Sequence, residues 1–263
     1  MVSNAVERKP VALFGSPPSM SADTTHRDVT QSGDPASIVW RYMTHDKFVS
    51  LLDKKALYFA GLAELDDGHE GSIPQADWDL IQAHSPDPQQ WTRTRQSALQ
   101  LARVNCWTMQ PYESDALWKI CAKGNRSLAI RATYARLRDS IPTTPNSPVT
   151  IGTVQYKNFS SAVASGTLNV FAPLYWKRLP FRYECEVRLA GFFVSTQWFE
   201  APPTTSPIDP FVQCDLECLV DAIVISPYAE FNYLTEVRAI VENSAPKLLE
   251  RIERSHLDTA PLF

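Results

Sequence analysis

Glycine is scarce in this chain, with nine residues among 263. A phosphate cradle made of glycine amides needs several of them at fixed spacing, and neither a G-x-x-x-x-G-K-[ST] loop nor a G-x-G-x-x-G fingerprint occurs. Histidine is scarcer still, at five, and no G-x-S-x-G nucleophile elbow stands in the sequence. The five cysteines are an odd number without framework spacing, which points to reduced thiols in a cytoplasmic protein rather than a disulfide-stapled secreted domain. Cys214 and Cys218 have the separation of half a metal clamp, but no second Cys or His pair has zinc-site spacing, so no metal is assigned. No apolar run reaches membrane-spanning length, and the Val11–Phe14 patch is too short for a signal core. A net charge of -4 gives no reason to expect a grip on nucleic acid.

What is present is a core. Hydrophobic residues make up 44% and aromatics 11% of a 29.6 kDa chain, enough for one large domain. Residues 1–36, rich in Ser, Thr, Asp and Pro without periodicity, read as a flexible leader. Residues 37–263 read as a single α+β domain, with mixed, mostly antiparallel sheets and peripheral helices, because the strand runs do not alternate strictly with crossover helices. The spacing predicts a strand over 37–44, a helix from His45, a strand over 57–61, and helical residues 75–102 broken by the prolines of "HSPDPQQ". Further strands are expected at 103–109, 126–133 and 218–227, and helices near 113–123, 133–141 and 229–245.

The stretch "FRYECEVRLAG", Phe181 to Gly191, alternates as a half-buried strand, with Arg182, Glu184, Glu186 and Arg188 on the polar side. Two carboxylates one residue apart on a strand raise each other's cost of ionisation, and two guanidinia offset it. The row is either a salt-bridge lattice on an exposed face or the floor of a ligand cleft. Arg41 and Tyr42 must face opposite ways on the first strand, and a buried Arg41 would need a carboxylate or a ligand phosphate for its planar fork. The segment Glu64, Asp66, Asp67, His69, Glu70 lacks EF-hand spacing and reads as a solvated turn. Cys106, beside Trp107 and Thr108, is a core thiol by default and a nucleophile as the alternative.

The order "VWRYM", "ALYFAGLAELDDGHEG", "VNCWTMQPYESDALWKICAKGNRSLAIR", "VQYKNF", "YWKRLPFRYECEVRL" and "IVISPYA" resembles the domain of unknown function 2971 family from about Val39 to about Leu257. An Arg on an early strand, a small polar or aromatic motif in a middle strand and a late Glu-x-Glu strand are together similar to the ADP-ribosyltransferase fold. That resemblance implies an enzyme cleaving the nicotinamide-ribose bond of NAD and passing ADP-ribose to a macromolecular or small acceptor. It implies Glu186 as the catalytic glutamate and Glu184 as its acceptor-activating neighbour. Arg41 would grip phosphate or ribose, Cys106, Trp107 and Thr108 would occupy the Ser-Thr-Ser strand position, and Tyr42 or Tyr58 would stack on nicotinamide. The alternative is a non-catalytic nucleotide- or sugar-binding regulatory module.

Overall fold

A computed structural model describes residues 33–142, 149–161, 164, 171–193 and 209–259; the 1–32 part of the expected leader and residues 194–200, most of the stretch "FFVSTQWFE" expected to continue or pair with the late strand, lie outside them. In chain order the elements are β1 (Ile38–Thr44), α1 (His45–Lys54), β2 (Ala56–Tyr58), β3 (Ala60–Gly61), α2 (Gln75–His84), α3 (Pro88–Leu101), β4 (Ala102–Met109), α4 (Asp115–Cys121), β5 (Ser127–Thr133) and α5 (Tyr134–Asp139). There follow β6 (Thr150–Thr153), β7 (Gln155–Lys157), β8 (Trp176–Arg178), β9 (Glu186–Phe192), β10 (Phe211–Gln213), α6 (Leu216–Leu219), β11 (Ala222–Ile225), α7 (Tyr233–Ser244) and β12 (Ile252–Arg254). The main sheet runs β12-β11-β5-β1-β4-β9-β6, with β3 also on β4. Every pairing in it is antiparallel except β11 with β12. The chain is thus one mixed domain built on a mostly antiparallel sheet. Among the described residues no helix is long and apolar enough to cross a membrane.

Local chemistry explains the elements. α1 buries Phe48, Leu51 and Leu52 at helical spacing, carries Asp46 in its first turn and Lys54 in its last, and ends at Lys55 in the left-handed region. α3 starts where Asp87 accepts the Gln90 amide and Pro88 occupies the first turn. Pro86 before it and Pro88 at its start separate it from α2, as the sequence predicts.

The two faces of the sheet differ. On one, Val39, Met43, Trp107, Leu128, Ile130, Val187, Leu189 and Ile223 join Phe48, Leu52, Val237 and Val241 of α1 and α7 in the largest core cluster. On the other, Trp40, Tyr42, Ala129 and Val224 pack with Trp118 of α4, while Val104 and Ala190 pack with Leu62, Leu174 and Tyr175. That second face also carries the polar row, because Trp40 pairs with Thr108, Thr108 with Glu186, and Cys106 with Arg188.

β1 and β4 share only two rungs, Val39 with Met109 and Trp40 with Thr108. Beyond them the strands part, and β3 takes the edge of β4 at Val104 and Arg103. Side chains replace the missing ladder across the split. Arg41 donates through Nη1 to the Cys106 carbonyl at 2.7 Å, and Asn105 donates to the Tyr58 carbonyl at 2.8 Å. The Trp107 indole donates to Asn105 Oδ1 at 2.7 Å.

Candidate functional site

The opening half of "FRYECEVRLAG" is not a strand. Leu179–Glu184 is a 3-10 turn, Cys185 has φ of 44°, and β9 starts only at Glu186. Glu184 therefore does not share a strand face with Glu186, and Tyr183 and Cys185 are exposed rather than facing the core. The alternation failed as a guide because Pro180 sits at the start of a tight turn, and because β9, second from the sheet edge, is buried on both faces.

Glu186 and Arg188 lie two apart on β9 and are 5% and 0% exposed. Burying charges at this depth requires full pairing, and Arg188 has it. Nε and Nη2 donate to the two oxygens of Glu186, both at 2.8 Å. Nη1 and Nη2 donate to the two oxygens of Glu70 at 2.9 and 3.2 Å, and Nη1 also reaches the Leu174 carbonyl at 2.7 Å. All five guanidinium N–H groups are thereby used.

Two short elements complete the cluster. β8 pairs with β7 and directs Lys177 between the carboxylates, within 3.4 Å of Glu70 and of Glu186 and in direct contact with Glu184. Its neighbour Arg178 holds Asp67 with a two-pronged contact, at 3.2 and 2.7 Å. Asp67 in turn accepts the His69 amide and fixes the turn that points Glu70 inward. Gly71 follows with φ of 70°, where a Cβ would lie 2.7 Å from Leu62 and 2.9 Å from Leu99, so only glycine fits. The turn predicted as solvated is therefore a buried anchor: Asp67 and Glu70 are both buried.

The electrostatics follow from this packing. Burial alone would push the Glu186 carboxyl up, but the charge and hydrogen bonds of Arg188, with Lys177, outweigh it and hold it at about 2. Glu184 goes the other way: burial raises it more than Lys177 lowers it. Lys177 is pushed up despite burial, by Glu186 and Glu184. The Cys106 thiol faces Glu186, and burial together with that carboxylate raises it well beyond the thiolate range. It is a core thiol, not an activated nucleophile.

Arg41 sits in the split beside this cluster. It is half-buried, its guanidinium lies 6.0 Å from the Trp107 ring, and burial lowers its pKa. Its hydrogen bond to Cys106 is spent on a backbone carbonyl, and among the described residues no carboxylate lies within ion-pair distance of it. The Cys121 thiol, at the end of α4, lies in the fields of Glu184, Lys47, Arg41 and Lys177.

Of the residues singled out from sequence, Cys106, Thr108 and Glu186 share a face of the sheet and Glu184 joins them through Lys177, while Arg41 leaves its strand on the other face and touches this group at the Cys106 carbonyl. Arg41 and Glu186 meet only through Cys106, the first on its carbonyl and the second against its thiol. Three residues fall elsewhere. Trp107 is on the opposite face, in the main core. Tyr42 is buried edge-on against Trp118, 4.8 Å between centroids, and its hydroxyl takes the Ser114 amide. Tyr58 is 40% exposed and donates to Glu64 at 2.5 Å, with Phe211 against its ring. Neither tyrosine offers a free face at the split. Sequence reasoning read Asp67 and Glu70 as part of a solvated turn and passed over Lys177 and Arg178; the signal was two cations at Lys177 and Arg178 directly after the buried aromatics Tyr175 and Trp176, and a glycine directly after Glu70. No protein-family model, curated protein or solved structure matches this chain.

Proposed function

We propose that this domain binds a nucleotide-type anion, of the NAD or ADP-ribose class, where β1 parts from β4, and that it does so as a binding module without turnover. Arg41 carries the reading: it is a half-buried cation whose contacts include a carbonyl and an indole face but no carboxylate among the described residues. A guanidinium that has lost hydration without gaining a counter-charge is a ready partner for a phosphate. Lys47 adds positive charge near Cys121, while Lys177 beside it is already paired with Glu70, Glu184 and Glu186.

Cleavage of the nicotinamide-ribose bond would ask a carboxylate to steady an oxocarbenium ion while holding a ribose hydroxyl. Both oxygens of Glu186 already accept from Arg188. The transferase reading, with an unknown acceptor, has one observation in its favour: Glu184 is the most accessible carboxylate of the cluster, at 22% side-chain exposure, and its pKa is raised by burial, as suits a group that exchanges protons.

Titration calorimetry with NAD and with ADP-ribose separates these readings. The wild type is expected to bind, and Arg41→Gln to weaken binding roughly tenfold or more. No nicotinamide is expected from NAD with wild type or Glu186→Gln. Release that Glu184→Gln or Glu186→Gln abolishes would establish the transferase instead. Absence of binding heat for both ligands, or equal affinity in Arg41→Gln, would sink the Arg41 assignment.

A further inference from the structure

A second pair of arginines lies at the end of α6. This short helix ends with the carbonyls of Glu217 and Val220 short of helical partners, and two guanidinia from different parts of the chain meet there. Arg136 of α5 donates through Nη2 to both carbonyls, each at 2.9 Å. Arg251, closing the 3-10 turn Pro246–Arg251, donates through Nη1 to the same two, at 2.8 Å to Glu217 and in direct contact with Val220. Two like charges are thus held against shared oxygens, where they repel each other.

The nearby carboxylates do not neutralise them. Asp215 accepts the amides of Glu217 and Cys218, Asp139 is taken by Arg138, and the Glu217 side chain pairs with Lys247 at 3.0 Å. Among the described residues neither Arg136 nor Arg251 has a carboxylate within ion-pair distance. Nε of Arg136 is buried without a hydrogen-bond partner, a costly state for a charged donor. Helix capping accounts for one terminal nitrogen of each arginine, and among the described residues the rest of both forks has no hydrogen bond. Both side chains are partly exposed, so a ligand can reach them.

We propose that Arg136 and Arg251 form an anion site for a phosphate group, whose several oxygens bridge two guanidinia and relieve their repulsion. This site is separate from the split at Arg41 and does not rest on the reading given for it. The test is protection from phenylglyoxal, mapped by peptide mass spectrometry on the wild-type full chain, with inorganic phosphate in one arm and AMP in the other. Protection of the Arg136 and Arg251 peptides is expected; protection by both probes identifies a free phosphate site, and by AMP alone a phosphoryl group carried on a larger ligand. Equal modification with and without either probe overturns the proposal. Arg251→Lys keeps a cation for the carbonyls, so a folded variant is expected, with phosphate protection at Arg136 reduced roughly tenfold; undiminished protection there would also overturn it.

Discussion

Glu184 and Glu186 stand two residues apart and titrate in opposite directions, so their effects on stability have opposite signs. The folded pKa of Glu186, about 2, is below its ordinary 4.5. Its contribution is therefore complete above the ordinary value and is lost as pH falls from 4.5 toward 2, a loss of about 3 kcal/mol by linkage. Glu184 is raised, so the stability it contributes is complete below the ordinary range and falls as pH climbs through its folded pKa. Denaturant melts across pH are expected to show a steep acid limb that Glu186→Gln removes, while Glu184→Gln flattens the decline on the higher side. An unchanged acid limb in Glu186→Gln would contradict the pairing with Arg188. Arg188→Gln is expected to cost roughly 3–5 kcal/mol, because Glu186 and Glu70 would be left buried and unpaired. Calorimetric melting at neutral pH reads this directly. At this scale the shared face of Glu186 and Arg188 was legible, but Glu184 was wrongly set on the same strand, since a 3-10 turn carries it. Glu70 was not legible, since only the fold brings a loop residue 118 positions away to within 2.9 Å of Arg188.

Among the described residues, two that are not glycine adopt positive φ: Lys55 at 48° and Cys185 at 44°. The first terminates α1 and the second terminates the 3-10 turn that delivers Glu184 to Lys177. Left-handed backbone costs an ordinary residue roughly 1–2 kcal/mol relative to glycine. Lys55→Gly and Cys185→Gly are each expected to stabilise the fold by about 1 kcal/mol, measured as a rise in the urea midpoint with an unchanged slope. A fall in the midpoint would mean that the side chains contribute more than the strain costs. Element types were readable wherever one period held over a long enough run. α1 followed its apolar spacing, α2 and α3 the proline break between them, and β1 and β4 followed their aromatic and β-branched content. The reading broke at residues 179–185, where period-two alternation and a 3-10 turn with a proline at its start produce the same short pattern.

For the molecule as a whole, the apolar content and mixed element order were sufficient to place a single domain with a mostly antiparallel sheet. They could not foretell strand order, which depends on long-range pairing such as that of β9 between β4 and β6. The principal core is anchored by α1 across the sheet. Phe48 is fully buried, and Phe48→Ala is expected to cost roughly 3–5 kcal/mol in global stability, checked by the same urea titration. The polar cluster is the other global support: three carboxylates, Glu70, Glu184 and Glu186, surround Lys177 with Arg188 as the second cation, which leaves one negative charge in excess. The parting of β1 from β4 has a mechanical meaning. With the halves of the platform riveted at Val39 and Trp40 alone, opening can start at the notch and run outward without first breaking a long seam. The amide proton of Cys106, which faces the split, should accordingly exchange with deuterium ahead of those of Asn105 and Trp107, which face β9, and a bound guest should slow it.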